Sequence, residues 1–150
     1  MTAVATKPVK QSAAKSATKS KQGSRKASYE KRRQIGRRGE ELACDFLVRH
    51  GMKIIDRNWR CSYGEADIIA LDEGTLVFCE VKTRTSDTLD DLTEAITKKK
   101  VERYLKLVNV YRSRCTVRHT SLRVDFIGLL VDEEKGRARL HYVRDINASS

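Results

Sequence analysis

The chain has 150 residues, of which 31 are Lys or Arg and 20 are Asp or Glu, a formal charge of +11. No stretch is long and apolar enough to span a bilayer, and no apolar run near the start suits a signal peptide, so composition argues against a membrane-spanning or exported chain. Four cysteines, Cys44, Cys61, Cys79 and Cys115, are widely separated and form no CxxC pair, which fits reduced thiols in a cytoplasmic protein rather than a disulfide framework or a zinc site.

The charge is unevenly placed. Residues 1–38 hold 12 Lys or Arg and one acid, Glu30, while the remainder holds 19 of each sign. Residues 1–28 are rich in Lys, Ser, Ala and Thr and contain no aromatic and no acid. Such a segment lacks the apolar surface that offsets chain entropy, and the expectation is a disordered basic tail. It suits nonspecific, salt-sensitive contact with nucleic acid, or equally an inert extension; a targeting peptide fits less well, because the tail is rich in Lys rather than Arg.

From residue 29 to 150 the pattern predicts one folded domain. A helix over about 29–50 carries Leu42, Ala43, Phe46, Leu47 and His50 at helical spacing as its buried stripe. Glu40 lies at the edge of that stripe and Glu41 points away. A strand follows from Lys53 to Arg60, then two strands around Asp72-Glu73-Gly74-Thr75, whose residues are turn formers. The stretch Lys82 to Asp91 reads as a polar, mobile loop. A long helix from about Leu89 to Ser113 and strands near Leu122–Val131 and Arg137–Val143 complete an α/β sandwich.

The central hairpin carries the chemistry. If Leu71 faces Leu76 across the turn, then Ile69 faces Phe78, Asp67 faces Glu80 and Glu65 faces Lys82, all on one face. The other face, Ala66, Ile68, Ala70, Val77, Cys79 and Val81, is apolar and suited to burial under a helix. Opposed like charges repel. A hard cation such as Mg²⁺ between Asp67 and Glu80 relieves that repulsion, with the Val81 carbonyl as a further oxygen ligand. Lys82 is then placed to orient a water or to stabilise charge on a phosphate. The plainer alternative is a surface ion-pair cluster in which Lys82 neutralises Glu65 and Glu80.

Gly36-Arg37-Arg38-Gly39-Glu40, Ala43, Arg57-Asn58-Trp59-Arg60, Gly64-Glu65-Ala66-Asp67-Ile68-Ile69-Ala70 and Val77-Phe78-Cys79-Glu80-Val81-Lys82-Thr83-Arg84 closely resemble the YraN-like family of bacterial proteins. That family belongs to the PD-(D/E)XK nuclease superfamily and looks like the archaeal-type Holliday junction resolvases. The resemblance covers roughly residues 33–146. It implies a restriction-endonuclease-like core, a mixed central sheet flanked by helices. It further implies Asp67 and Glu80 as ligands of Mg²⁺ or Mn²⁺, Lys82 and Glu40 as catalytic residues, and DNA, branched or flapped, as substrate. Resolvase chemistry needs two active sites on one junction, so a homodimer is expected with it. Glu40 has another reading, as an acid favoured by the positive end of its helix.

Two departures from the family, Ala66 for a larger aliphatic and Cys79 for Val, do not touch this chemistry. Lys100 matches a family lysine, although Val101 replaces the usual glutamine beside it. Lys100 and Arg84 are candidate phosphate contacts, with a solvated face as the alternative for Lys98-Lys99-Lys100. Asp125 also matches the family, but a salt bridge with Arg123 or Arg144 explains it equally well. Trp59 reads more readily as core than as a base-stacking platform. His50, His119 and His141 show no zinc spacing. A second function class remains open: a noncatalytic nucleic-acid-binding or partner-binding module on a nuclease scaffold.

Overall fold

The structure is a computed structural model that describes residues 13–85, 92 and 96–146, with side chains from residue 22 onward. The chain divides into two units, Met1–Gln34 and Ile35–Ser150. Helix α1 (Ala13–Arg49) begins well before the predicted start near residue 29. Its early part mixes strong helix formers, Ala, Lys, Gln and Arg, with weaker Ser, Thr and one Gly. Residues 22–34 are exposed throughout, so their helicity rests largely on local propensity, which is marginal in water. The disorder expected for residues 1–28 falls, for 1–12, outside the described residues.

In the second unit, strands β1 (Lys53–Cys61), β2 (Gly64–Asp72), β3 (Thr75–Arg84), β4 (Ser121–Asp132) and β5 (Arg137–Val143) form one sheet in the order β1-β2-β3-β4-β5. All neighbours are antiparallel except β3 and β4, which run parallel. A parallel pair needs a crossover, and helix α2 (Lys98–Arg114) lies in it. The result is the α/β fold that the residues predict, with the mixed sheet that the resemblance implies. The predicted start of α2 near Leu89 falls largely among residues outside the described set, as does much of the loop expected over Lys82–Asp91.

Both faces of the sheet are covered. Ala43 and Leu47 of α1 pack on Ile68, Ala70, Val77, Cys79, Ile127 and Leu129. On the opposite face Tyr104, Leu107, Val108 and Tyr111 of α2 pack on Ile69, Leu76, Phe78 and Val124. Burying Leu, Ile or Phe side chains of this kind contributes about 1.5–3 kcal/mol each. Leu42 and His50, expected in the α1 stripe, are exposed; Phe46 bends His50 back, accepting from its Nδ1 through the backbone carbonyl at 2.8 Å. Trp59 is core, edge-on to Tyr111 with ring centroids 5.0 Å apart.

Gly39 sets how closely α1 approaches the sheet. A Cβ there would overlap the Thr83 hydroxyl and press on Leu129, so the small residue lets the helix sit directly on β3 beside Lys82. Glu40 follows Gly39 and is half-buried, whereas Glu41 is exposed.

Candidate active site

The hairpin register is the expected one from Asp72↔Thr75 to Ile68↔Cys79, and there it stops. Beyond Ile68, β2 stays with β1, pairing Trp59↔Ala66 and Arg60↔Glu65, while β3 continues beside β4 alone. The strands therefore part at Asp67 and Glu80. Asn58 adopts the left-handed region, φ 52, which Asn tolerates better than most residues. At that point side chains change sides: Trp59 and Ala66 join Ile69 in the α2-side core. Strict alternation had assigned Ala66 to the face of Ile68. It had also opposed Glu65 to Lys82, but Glu65 instead pairs with Arg60, Oε2 to Nε 3.0 Å. The kink at Asn58 and Asp67 is why a two-strand register could not carry through.

Asp67 spans the split. Its Oδ2 accepts the Val81 N–H at 2.7 Å. The Val81 carbonyl, which in an extended strand points the same way as its N–H, faces the same gap. Burial first, and the nearby Glu80 carboxylate second, push the Asp67 carboxyl up to about 7, against the lowering effect of the Val81 hydrogen bond. Glu40 adds smaller repulsion, which places it within electrostatic reach of Asp67.

Glu80 has a partner the hairpin alone did not indicate. Lys100 Nζ, one turn into α2, lies 2.6 Å from Glu80 Oε1, with side chains 24% and 16% exposed. Thr97 caps that helix by accepting the Lys100 N–H at 3.2 Å, which fixes where the lysine emerges. Lys100 is therefore not on a solvated face. Lys82, the expected neutraliser of Glu65 and Glu80, makes no ion pair among the described residues. Burial, then Arg84 and Lys100, lower its pKa, with Glu80 and Asp67 opposing. A lysine of this kind is easier to deprotonate than an exposed one. Arg84 is exposed and, among the described residues, its side chain reaches the Thr83 carbonyl at 3.5 Å.

Tyr104, one turn beyond Lys100, was not singled out by its sequence context. It is 4% exposed, and among the described residues its hydroxyl has no hydrogen-bond partner. Burial, then Glu80 and Asp67, raise its pKa well above the ordinary phenol value. It lines a void of about 10 Å³ with Glu80 and Lys100, the size of a single water at most. Helical spacing from Lys100 was the available signal.

Among the described residues no three His, Cys, Asp or Glu side chains converge into a metal-binding group. Glu40 thus does not complete a cage with Asp67 and Glu80. Two carboxylates and a backbone carbonyl nevertheless fit a hard cation that keeps waters and shares phosphate oxygens, the habit of Mg²⁺. They lack the Cys and His donors that make up a structural zinc site.

Asp125 belongs to a separate network. It is fully buried. Arg123 Nε donates to its Oδ1 and Oδ2 at 2.9 and 3.1 Å, the Tyr142 hydroxyl to Oδ2 and the Asp145 N–H to Oδ1 at 2.9 Å. Arg123 also bridges to Asp72 at 2.9 Å. The Arg123 salt bridge expected for Asp125 is present; Arg144 reaches Asp72, at 3.7 Å, instead.

The model of the Uncharacterised protein family UPF0102 matches residues 39–129. A UPF0102 protein of Mycobacterium avium (strain 104) is 44% identical over 104 residues, 68% of this chain and 81% of the relative. One from Mycobacterium tuberculosis (strain ATCC 25618 / H37Rv) is 45% identical over 100 residues, 65% of this chain and 78% of the relative. A third, from Arthrobacter sp. (strain FB24), is 43% identical over 112 residues, 75% and 94% of the two chains.

Proposed function

Because this chain belongs to the UPF0102 family, whose name carries no activity, we propose from the site that it is a PD-(D/E)XK-type endonuclease, hydrolysing DNA phosphodiester bonds with Mg²⁺ or Mn²⁺. The observation that carries the reading is the split between β2 and β3, where Asp67 and Glu80 share one half-buried gap beside Lys82, which makes no ion pair among the described residues. Two such carboxylates are costly without a cation.

Asp67, Glu80 and the Val81 carbonyl would hold the ion. When bound, the ion supplies Lewis acidity and a more acidic water. Lys82, two residues along β3, holds or orients the attacking water and offsets charge on the phosphate. Its lowered pKa also leaves more of it unprotonated, and so available as a base, than a solvated lysine has. Glu40, brought in by the close α1 approach at Gly39, supports the arrangement electrostatically. Four free thiols suit a reducing cytoplasm, and no helix among the described residues is long and apolar enough to cross a membrane. Branched or flapped DNA as substrate, and a homodimer acting on it, rest on the resolvase resemblance alone.

One observation favours a second reading. Lys100 already supplies Glu80 with a positive charge at 2.6 Å, as expected of a noncatalytic nucleic-acid-binding or partner-binding module that has replaced its metal. Incubating the full chain and its Glu80→Ala form with four-way-junction, flap, duplex and single-stranded DNA in Mn²⁺ or Mg²⁺ separates the two. Cleavage by the unaltered protein alone supports the nuclease; DNA binding without cleavage, together with no Mn²⁺ heat in calorimetry, supports the module.

A further inference from the structure

Next to the acidic split lies an open groove of about 560 Å³ whose wall includes Tyr63, Lys99, Lys100, Glu102, Arg103 and Lys106. Lys99, Arg103 and Lys106 recur at steps of four and three, so they share a face of α2, away from the buried Val101, Tyr104, Leu107 and Val108. Among the described residues none of these three cations has an ion-pair partner. The first turn of α2 contains no acid, so Lys98, Lys99 and Lys100 crowd the positive end of the helix dipole, an arrangement that an anion relieves.

The opposite wall is the β1–β2 turn. Tyr63 is 43% exposed there, on a backbone held by its N–H donating to Cys61 Sγ at 3.4 Å. The next residue, Gly64, has φ 132, and a Cβ on it would meet Arg103 Nε at 3.8 Å. The Arg103 guanidinium therefore packs against the turn beside Tyr63. At the other end Lys100 joins the groove to Glu80.

We propose that this groove seats an unpaired nucleotide, with Tyr63 stacking on the base and Lys99, Arg103 and Lys106 taking phosphates of the same strand. From Lys99 to Lys106 the helix rises roughly 10 Å, a span for two or three successive phosphates of one strand. An aromatic platform beside a cationic track is the arrangement by which proteins hold single strands. A duplex hides its base faces in the stack, so an exposed ring in the track selects an unpaired base. The inference rests on the nuclease reading and narrows it: the substrate carries a single-stranded segment that enters past Tyr63 toward Asp67 and Glu80.

The test is binding without metal, in EDTA, of single-stranded oligonucleotides carrying 2-aminopurine at successive positions, using the full chain. Tyr63→Ala is expected to bind about tenfold more weakly and to lose the quenching seen at one position, while Tyr63→Phe keeps both. With an abasic oligonucleotide the difference between the unaltered protein and Tyr63→Ala should vanish. That comparison cancels base-independent binding by the basic N-terminal segment. Changing Lys99, Arg103 and Lys106 together to Ala should reduce the slope of log K against log salt by about 2.

Equal affinity and quenching for Tyr63→Ala overturns the inference, as does failure of the unaltered protein to bind single strands. Mn²⁺-dependent cleavage of any DNA with no Tyr63 effect removes the inference and leaves the nuclease reading. A Tyr63-dependent affinity without cleavage leaves the nucleotide seat and removes the nuclease.

Discussion

Asp125 and Asp67 are both carboxylates on inner strands, and the protein treats them in opposite ways. Asp125 is fully enclosed and has every oxygen engaged, by Arg123, Tyr142 and the Asp145 backbone. Burial, opposed by the hydrogen bonds from Arg123 to Asp125 and Asp72, leaves the Arg123 pKa raised overall. Asp67 is only partly enclosed, yet among the described residues its side chain accepts one hydrogen bond, from a backbone N–H, and the charge that perturbs it most is another acid. A buried charge that is paired and hydrogen-bonded belongs to the architecture; a half-buried one left beside a like charge is an unfinished site. Both are acids set among apolar strand residues, so sequence pattern alone could not separate them.

The contrast can be broken most forcefully at Asp125. Asp125→Ala strands Arg123 in the interior and should cost about 3–5 kcal/mol in urea unfolding; a loss below about 1 kcal/mol would mean the network is ornamental. At the other centre the largest effect should be on activity. Lys82→Ala and Glu80→Ala are expected to lower Mn²⁺-dependent DNA cleavage by about 100-fold or more with the fold intact by circular dichroism, and full activity in either ends the mechanism.

Asp67→Asn sharpens the comparison through pH. In the folded chain Asp67 keeps its proton up to about 7, against 3.8 for an ordinary aspartate. The folded state therefore binds more protons between those values, and stability falls as pH rises through that window. Asp67→Asn should remove that slope and make the metal-free protein more stable at pH 8 by about 2–4 kcal/mol, whereas the same change at Asp125 destabilises. Urea midpoints at pH 4.5 and pH 8 decide it, and an unchanged slope refutes the assignment.

Smaller effects follow. Binding an ion requires the Asp67 carboxylate, so Mn²⁺ affinity by calorimetry should rise as pH approaches 7 and level off above it. Lys100→Met removes the ammonium competing for Glu80 and should tighten Mn²⁺ several-fold; weaker binding would show that Lys100 is part of the metal site rather than its rival.

The strands, the hairpin turn and most of its register were legible because they depend on local chemistry. β-Branched and aromatic runs around Asp72-Glu73-Gly74-Thr75 admit one pairing, and Leu71↔Leu76 through Ile68↔Cys79 follow from it. The reading failed where a third strand entered. Whether Glu65 faces Lys82 or Arg60 depends on β1, and on Asn58 taking a positive φ, which no two-strand argument contains. Nor could periodicity along α1 show that Gly39 lies against Thr83, since helical spacing defines a face but not what that face meets.

The sequence by itself determined the pair of acids with a lysine two residues on, the basic character of the early chain and the order of helices and strands, because charge, turn preference and apolar period are properties of neighbours in the chain. Tertiary structure alone decided which cation meets which acid. Lys100 is 20 residues from Glu80 along the chain and 2.6 Å from it in space; Asp125 joins Arg123 and Tyr142 while Asp67 is left with a backbone N–H. Electrostatic energy depends on distance through space and on exclusion of water, and both are set only when the sheet and its helices close.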